Sequence, residues 1–179
     1  SMFTTYMVDV KLNILKECGR TVKNNSRVHL YHGAKDVLCK VVLLDSDELS
    51  PGESSYAQLR LEEEMVFKYG DRYIIRFYSP METIGGGMVL NPLPRKHARN
   101  KAEIINGLKR LENGGLGIRL TEIIKEKSAD FKSKNDIRLL ANLGNSEMEA
   151  AVAGLLKDKS VIELGKDMLI SGEFYNKLK

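Results

Sequence analysis

The chain has 179 residues, 42% hydrophobic and 29% charged, with only 4 Pro, enough for one large domain or two small ones with real cores. This composition excludes a disordered or collagen-like chain. No apolar run reaches the roughly 20 residues that cross a bilayer as a helix, and no basic segment followed by an apolar stretch opens the chain, so neither a membrane partner nor secretion is expected. Ser1-Met2 reads as a cloning remnant. Cys18 and Cys39 lack CxxC spacing and are too few for a disulfide framework, which points to a reducing, cytoplasmic setting. The net charge of +4 is unevenly spread: residues 1–92 hold 11 Lys and Arg against 12 Asp and Glu, whereas residues 93–179 hold 17 against 12. The change falls at Asn91-Pro92-Leu93-Pro94-Arg95-Lys96-His97, where two prolines disfavour helix. The reading is therefore a first domain at 1–92, a basic linker at 93–99, a second domain at 100–172 and the start of a further helix at 173–179.

The first part reads as strands. Val8, Val10, Leu12 and Ile14 alternate with Asp9, Lys11 and Asn13, the period of a half-buried strand over 7–15. Further strands are expected at 27–32, 37–44, 56–67, 72–78 and 83–90. Turn chemistry separates them: Asn24-Asn25-Ser26, Gly33, Ser50-Pro51-Gly52-Glu53 and Tyr69-Gly70-Asp71. Six strands with short turns and no intervening helix favour a six-stranded antiparallel β-barrel, because closure removes the exposed edges of a small open sheet.

The second part reads as helices. Asn100-Lys101-Ala102-Glu103 has the form of a capping box, and Ile104, Ile105, Leu108 and Leu111 recur at helical spacing until Gly114-Gly115. Helices are also expected at 121–127 and at 135–142, the latter with Ile137, Leu140 and Ala141 inward. Ser146-Glu147-Met148-Glu149 reads as another capping box before an apolar face of Met148, Val152, Leu155 and Leu156. A hairpin, 161–164 and 168–170 about Gly165-Lys166-Asp167, follows. Three helices and then a hairpin is the order of a winged-helix domain.

Several features invite chemistry and are better explained otherwise. Gly85-Gly86-Gly87 runs into Met88-Val89-Leu90 rather than a helix, so a bulge or close strand approach is expected instead of a phosphate cradle. His29, His32 and Cys39 suggest a metal, but residues three apart face opposite sides of a strand, and no metal is expected. Glu62-Glu63-Glu64 reads as a solvated acidic turn or bulge. No catalytic constellation stands out.

One stretch carries a resemblance: Tyr69-Gly-Asp-Arg-Tyr-Ile-Ile-Arg76-Phe-Tyr-Ser-Pro80-Met-Glu-Thr83-Ile-Gly85-Gly86-Gly87-Met-Val-Leu90-Asn-Pro92. It resembles the strand pair in the third domain of elongation factor Tu-like translational GTPases. Pro51-Gly52-Glu53 looks like their Pro-Gly-Asp turn, and Arg27 to Tyr31 followed by Lys35-Asp36-Val37 like their aromatic strand and Asp-Val turn. Within that superfamily, 79–92 is most similar to the bacterial selenocysteine-specific elongation factors, which continue into winged-helix modules.

The resemblance implies a barrel that contributes binding of selenocysteyl-tRNA and a winged helix that links it to modules holding an mRNA hairpin, on a ribosome at UGA codons. It implies no catalysis by these residues: GTP and magnesium belong to a GTPase domain, and no GxxxxGK[ST] loop occurs here. Arg20, Lys35, Arg76, Tyr78 and Ser79 match positions that touch tRNA in related factors, toward phosphate and ribose. Arg95, Lys96 and Arg99 in the linker, and Arg138, Lys157 and Lys159 around the helix-turn-helix, are further candidates for nucleic acid, although Glu147 and Glu149 oppose such contact and favour a spacer role. A monomer is expected. The alternative is a DNA-binding regulator that uses the winged helix, with the barrel as a sensor.

Overall fold

A computed structural model describes residues 3–179; Ser1-Met2 lie outside them. The chain forms two compact units that meet in sequence at Leu108 and Lys109.

The first unit is built on strands β1 (Thr4–Ile14), β2 (Val22–Lys23), β3 (Ser26–His32), β4 (Lys35–Leu43), β5 (Glu48–Leu49), β6 (Ser54–Val66), β7 (Arg72–Tyr78) and β8 (Met81–Asn91). Six of them close into an antiparallel barrel in the order β1-β6-β4-β3-β7-β8, with β8 returning to β1. All six expected strands are present, with ends within three residues of the reading. The β2–β5 ribbon was not foreseen, because two residues are too short to display alternation. Inward positions supply the core: Val8, Val10 and Leu12 from β1, Val28 and Leu30 from β3, Cys39 and Val41 from β4, Leu59 from β6 and Ile75 from β7. Each fully buried aliphatic side chain contributes about 1.5–3 kcal/mol relative to exposure.

Gly85, Gly86 and Gly87 lie where β8 runs between β1 and β7. A Cβ on them would run into the carbonyl oxygens of Asn13, Tyr73 and Lys11 respectively, so the triplet permits close strand approach, as its strand context implied. The acidic triplet occupies an irregularity in β6. Pairing with β1 jumps from Thr5↔Met65 to Met7↔Arg60, and Glu62, Glu63 and Glu64 remain exposed.

The alternation of β1 has one exception. Asp9, expected on a solvated face, is fully buried. Residues 93–99, read as a basic linker, lie against the barrel wall and cover it. The Gln58 Nε2 donates to Asp9 Oδ1 at 3.0 Å and to the Arg95 carbonyl at 2.8 Å. His97 N–H donates to Gln58 Oε1 at 3.3 Å, and its Nε2 lies 2.7 Å from Asp9 Oδ2. Arg60 donates to Gln58 Oε1 and to the His97 carbonyl. Arg99 donates to the carbonyls of Leu43 and Ser46 and to Asp47. A buried carboxylate is tolerated when it is this fully hydrogen-bonded.

Helix α1 (Ala102–Asn113) spans the division, and the second unit continues with α2 (Leu116–Lys127) and a 3₁₀ turn at Ser128–Asp130, α3 (Lys134–Ala141), α4 (Asn145–Lys157), β9 (Val161–Leu164), β10 (Met168–Ser171) and α5 (Gly172–Leu178). α2, α3 and α4 followed by the β9–β10 hairpin make a winged helix, and Ser133 bridges Met168 as its short third strand. Leu120, Ile124, Ile137, Val152, Leu155, Leu169 and Ile170 are buried.

Three local readings are corrected. α2 starts at Leu116, five residues before the expected start, because Gly115 adopts the extended N-cap conformation and Gly117 is tolerated within the first turn. Asn100 does not cap α1: its φ of 58° is left-handed, whereas a cap needs extended backbone. At α4 the cap is Gly144, not Ser146, and Glu147 accepts from the Gly144 N–H at 3.2 Å, so the box is displaced by two residues.

Candidate nucleic-acid interface

On β3, even positions point into the core and odd ones outward, which puts His29 and Tyr31 on the barrel's outer surface. On β7, Tyr73 and Ile75 point inward while Ile74, Arg76 and Tyr78 point out. Antiparallel pairing sets His29 opposite Arg76 and Tyr31 opposite Ile74. Diagonal neighbours on such a face are within reach of aromatic side chains. Accordingly the rings of His29 and Tyr78 stack with centroids 4.7 Å apart and planes 28° apart, and Tyr31 continues the row 6.4 Å from His29. The Arg76 guanidinium lies 5.9 Å from the Tyr31 ring, and its Nε finds no hydrogen-bond partner among the described residues. The Asp36 carboxylate holds His29 Nδ1 at 3.0 Å, and Arg27 forks onto Glu62 with two 2.8 Å hydrogen bonds. Asp36 and Glu62 on this face thus have an imidazole and a cationic partner respectively.

The five barrel candidates do not form one cluster. Arg76 and Tyr78 are neighbours on the ring face. Ser79 is exposed at the β7–β8 turn next to Tyr78. Arg20 lies at the same end of β7 but turns inward. Its guanidinium stacks 3.7 Å over Phe77, donates to the Pro80 carbonyl at 3.2 Å and pairs with Glu82 at 3.3 Å, and Glu82 also accepts from Gly19 N–H. That side chain braces the turn that carries Ser79. Lys35 pairs in register with His32, at the end of β3 where β7 begins, so about 20 Å of strand separates it from Tyr78.

The basic residues outside the barrel strands also divide. Arg99 is committed to the barrel wall, whereas Arg95 and Lys96 are exposed, the former with its carbonyl on Gln58. Arg138 serves the winged helix internally, donating to Asn135 Oδ1 and to the Leu143 carbonyl. Lys157 and Lys159 are exposed, and α4 presents Glu147 and Glu149 at its exposed start.

The three residues that suggested a metal go separate ways. His29 is held by Asp36, and His32 by Asp71 at 2.9 Å. Cys39 lies in the core, where burial pushes its thiol up to about 12. Burial likewise raises the phenol of Tyr73 well above 10, and its hydroxyl donates to the Lys11 carbonyl at 2.6 Å. Both groups are neutral and unreactive in the folded barrel. Hydrogen bonding to Arg27 is the main cause of the lowered Glu62 carboxyl.

His29 and Tyr31 complete this face. Both lie in the Arg27 to Tyr31 strand of the resemblance, but neither was among the candidate contacts, and His29 was weighed only as a metal ligand and set aside. The usable signal was that two of the three outward positions of β3, His29 and Tyr31, carry rings, where a merely solvated strand has no need of them.

Comparison with known proteins agrees with this architecture. Residues 8–96 match the family described as selenocysteine-specific elongation factor, beta-barrel domain. A selenocysteine-specific elongation factor of Desulfomicrobium baculatum is 36% identical over 104 residues, 58% of this chain and 16% of that protein. Another, of Haemophilus influenzae, is 27% identical over 115 residues, 63% of this chain and 18% of that protein. The chain thus spans under a fifth of each of these relatives. Closed barrel, strand order and matched residues together make this chain a member of the selenocysteine-specific elongation factor family through its β-barrel domain.

Proposed function

We propose that this chain is part of a factor that delivers selenocysteyl-tRNA to the ribosome at UGA codons, and that its barrel binds the tRNA through the outer face of β3 and β7. The observation that carries the reading is Arg76, which lies in register opposite His29 and beside its stack with Tyr78, on a face where Asp36 and Glu62 are already paired. An RNA backbone offers phosphate and 2′-hydroxyl groups to such a cation, and the contact falls off with salt. The exposed Arg95 and Lys96, Ser79 beside Tyr78, and the winged helix as connector to mRNA-binding modules complete the proposal. GTP and magnesium act in a GTPase domain outside these residues, and the factor works in the cytoplasm.

The test is a salt titration of this chain with selenocysteine tRNA, an elongator tRNA and a DNA duplex of similar charge. Selenocysteine tRNA is expected to bind most tightly at moderate salt. Arg76→Gln is expected to weaken binding several-fold and to lower the salt slope by about one. Equal binding of all three nucleic acids, with Arg76→Gln unchanged, would overturn the proposal.

A further inference from the structure

We infer that the His29–Tyr78 ring pair is a stacking platform that takes an unstacked nucleobase of the bound RNA on the open side of Tyr78, with Arg76 serving the adjoining phosphate. The inference rests on the tRNA-binding reading above and deepens it, since phosphate and ribose contacts need no aromatic residue.

Tyr78 is 66% exposed, the most exposed large apolar or aromatic side chain among the described residues. It is nevertheless placed. One side of its ring is against His29 at 4.7 Å, and His29 is in turn held through Nδ1 by Asp36. Two linked contacts thus orient a ring whose other side stays open, and a surface ordered in advance binds with less loss of side-chain freedom. Exposed Met81 lies opposite it on β8 and extends the apolar floor. Inside an A-form duplex each base is already stacked above and below, so this platform has no counterpart there except at the two ends. An unpaired base has a free π-face and gains from a ring beneath it. Charge favours the same occupant. Asp36 and Glu62 are engaged by His29 and Arg27, which leaves the Arg76 guanidinium, directly opposite His29, to meet the phosphate that accompanies the base.

Two RNA probes of equal charge test this on the 179-residue chain: a short single strand carrying 2-aminopurine and a fully paired blunt duplex. Stacking on Tyr78 is expected to quench 2-aminopurine on binding. Tyr78→Ala should abolish the quench and weaken the single strand about tenfold, while duplex affinity stays within about twofold and Tyr78→Phe behaves like the parent. Far-UV circular dichroism confirms that the variants fold. If selenocysteine tRNA binds in an Arg76-dependent way but 2-aminopurine is not quenched, or Tyr78→Ala weakens both probes equally, the platform is refuted and the tRNA-binding reading stands. If neither the tRNA nor either probe binds, both fail together.

Discussion

Two stretches of the barrel's outer surface start from the same strand alternation and end differently. Around Asp9, Gln58 and Arg60 the outward side chains are sealed by residues 93–99 and consume one another's hydrogen bonds. Around His29, Tyr31, Arg76 and Tyr78 no segment among the described residues of the first unit is hydrogen-bonded across the strands in this way. One ring, that of Tyr78, is two-thirds exposed beside the Arg76 guanidinium. The contrast separates structural from available polarity. A charge that the chain itself satisfies holds a segment in place, whereas an exposed, ordered ring beside a cation is open to a partner.

The largest break in the comparison comes from the scaffold beneath both faces. Gly86→Val puts side-chain atoms into the Tyr73 carbonyl between strands and should cost at least about 3 kcal/mol, read as a lowered urea midpoint or failure to fold. Breaking only the sealed face is the next effect. Gln58→Ala leaves Asp9, the Arg95 carbonyl and the His97 N–H each short of a bond, and should cost about 2–4 kcal/mol. On the open face, Tyr78→Ala should change stability by less than about 0.5 kcal/mol, because its ring is mostly in water. Equal losses for Gln58→Ala and Tyr78→Ala would erase the distinction between the faces.

Alkaline titration reads the core under both faces. Cys39 is raised to about 12 and Tyr73 well above 10 by burial, so the fold holds both neutral, whereas unfolded they ionise near 9 and 10. Folded values above unfolded ones mean that this stability is complete below about pH 9 and falls as pH rises beyond it, at about 1.4 kcal/mol per pH unit for each group. Urea melts between pH 8 and 11 should show the decline, and Cys39→Val should remove the part that begins near pH 9.

The barrel was legible because hydrophobic alternation and turn residues are local signals: all six strands could be read from patterns such as Val8-x-Val10-x-Leu12. The sealed face was not. Nothing adjacent to Asp9 in sequence announces that His97, 88 residues on, will cover it, and a Pro-containing basic run looks the same whether solvated or packed. The caps of α1 and α4 were misplaced because capping-box sequences fit more than one register, and backbone conformation at Asn100 and Gly144 decides among them. Of the proposed interface, Arg76 and Tyr78 were named from the strand motif. Their union with His29, and the separation of Lys35 and Arg20 from them, followed only from strand register and side-chain packing.

The central claim is that the open ring face, not the sealed one, meets RNA. Backbone amide chemical-shift mapping of the ¹⁵N-labelled chain during titration with selenocysteine tRNA tests it most directly. The account predicts that His29, Tyr31, Arg76 and Tyr78 shift or broaden first while Asp9, Gln58 and His97 stay in place. Shifts confined to the Asp9–Gln58–His97 face, with the ring face unmoved, would contradict it.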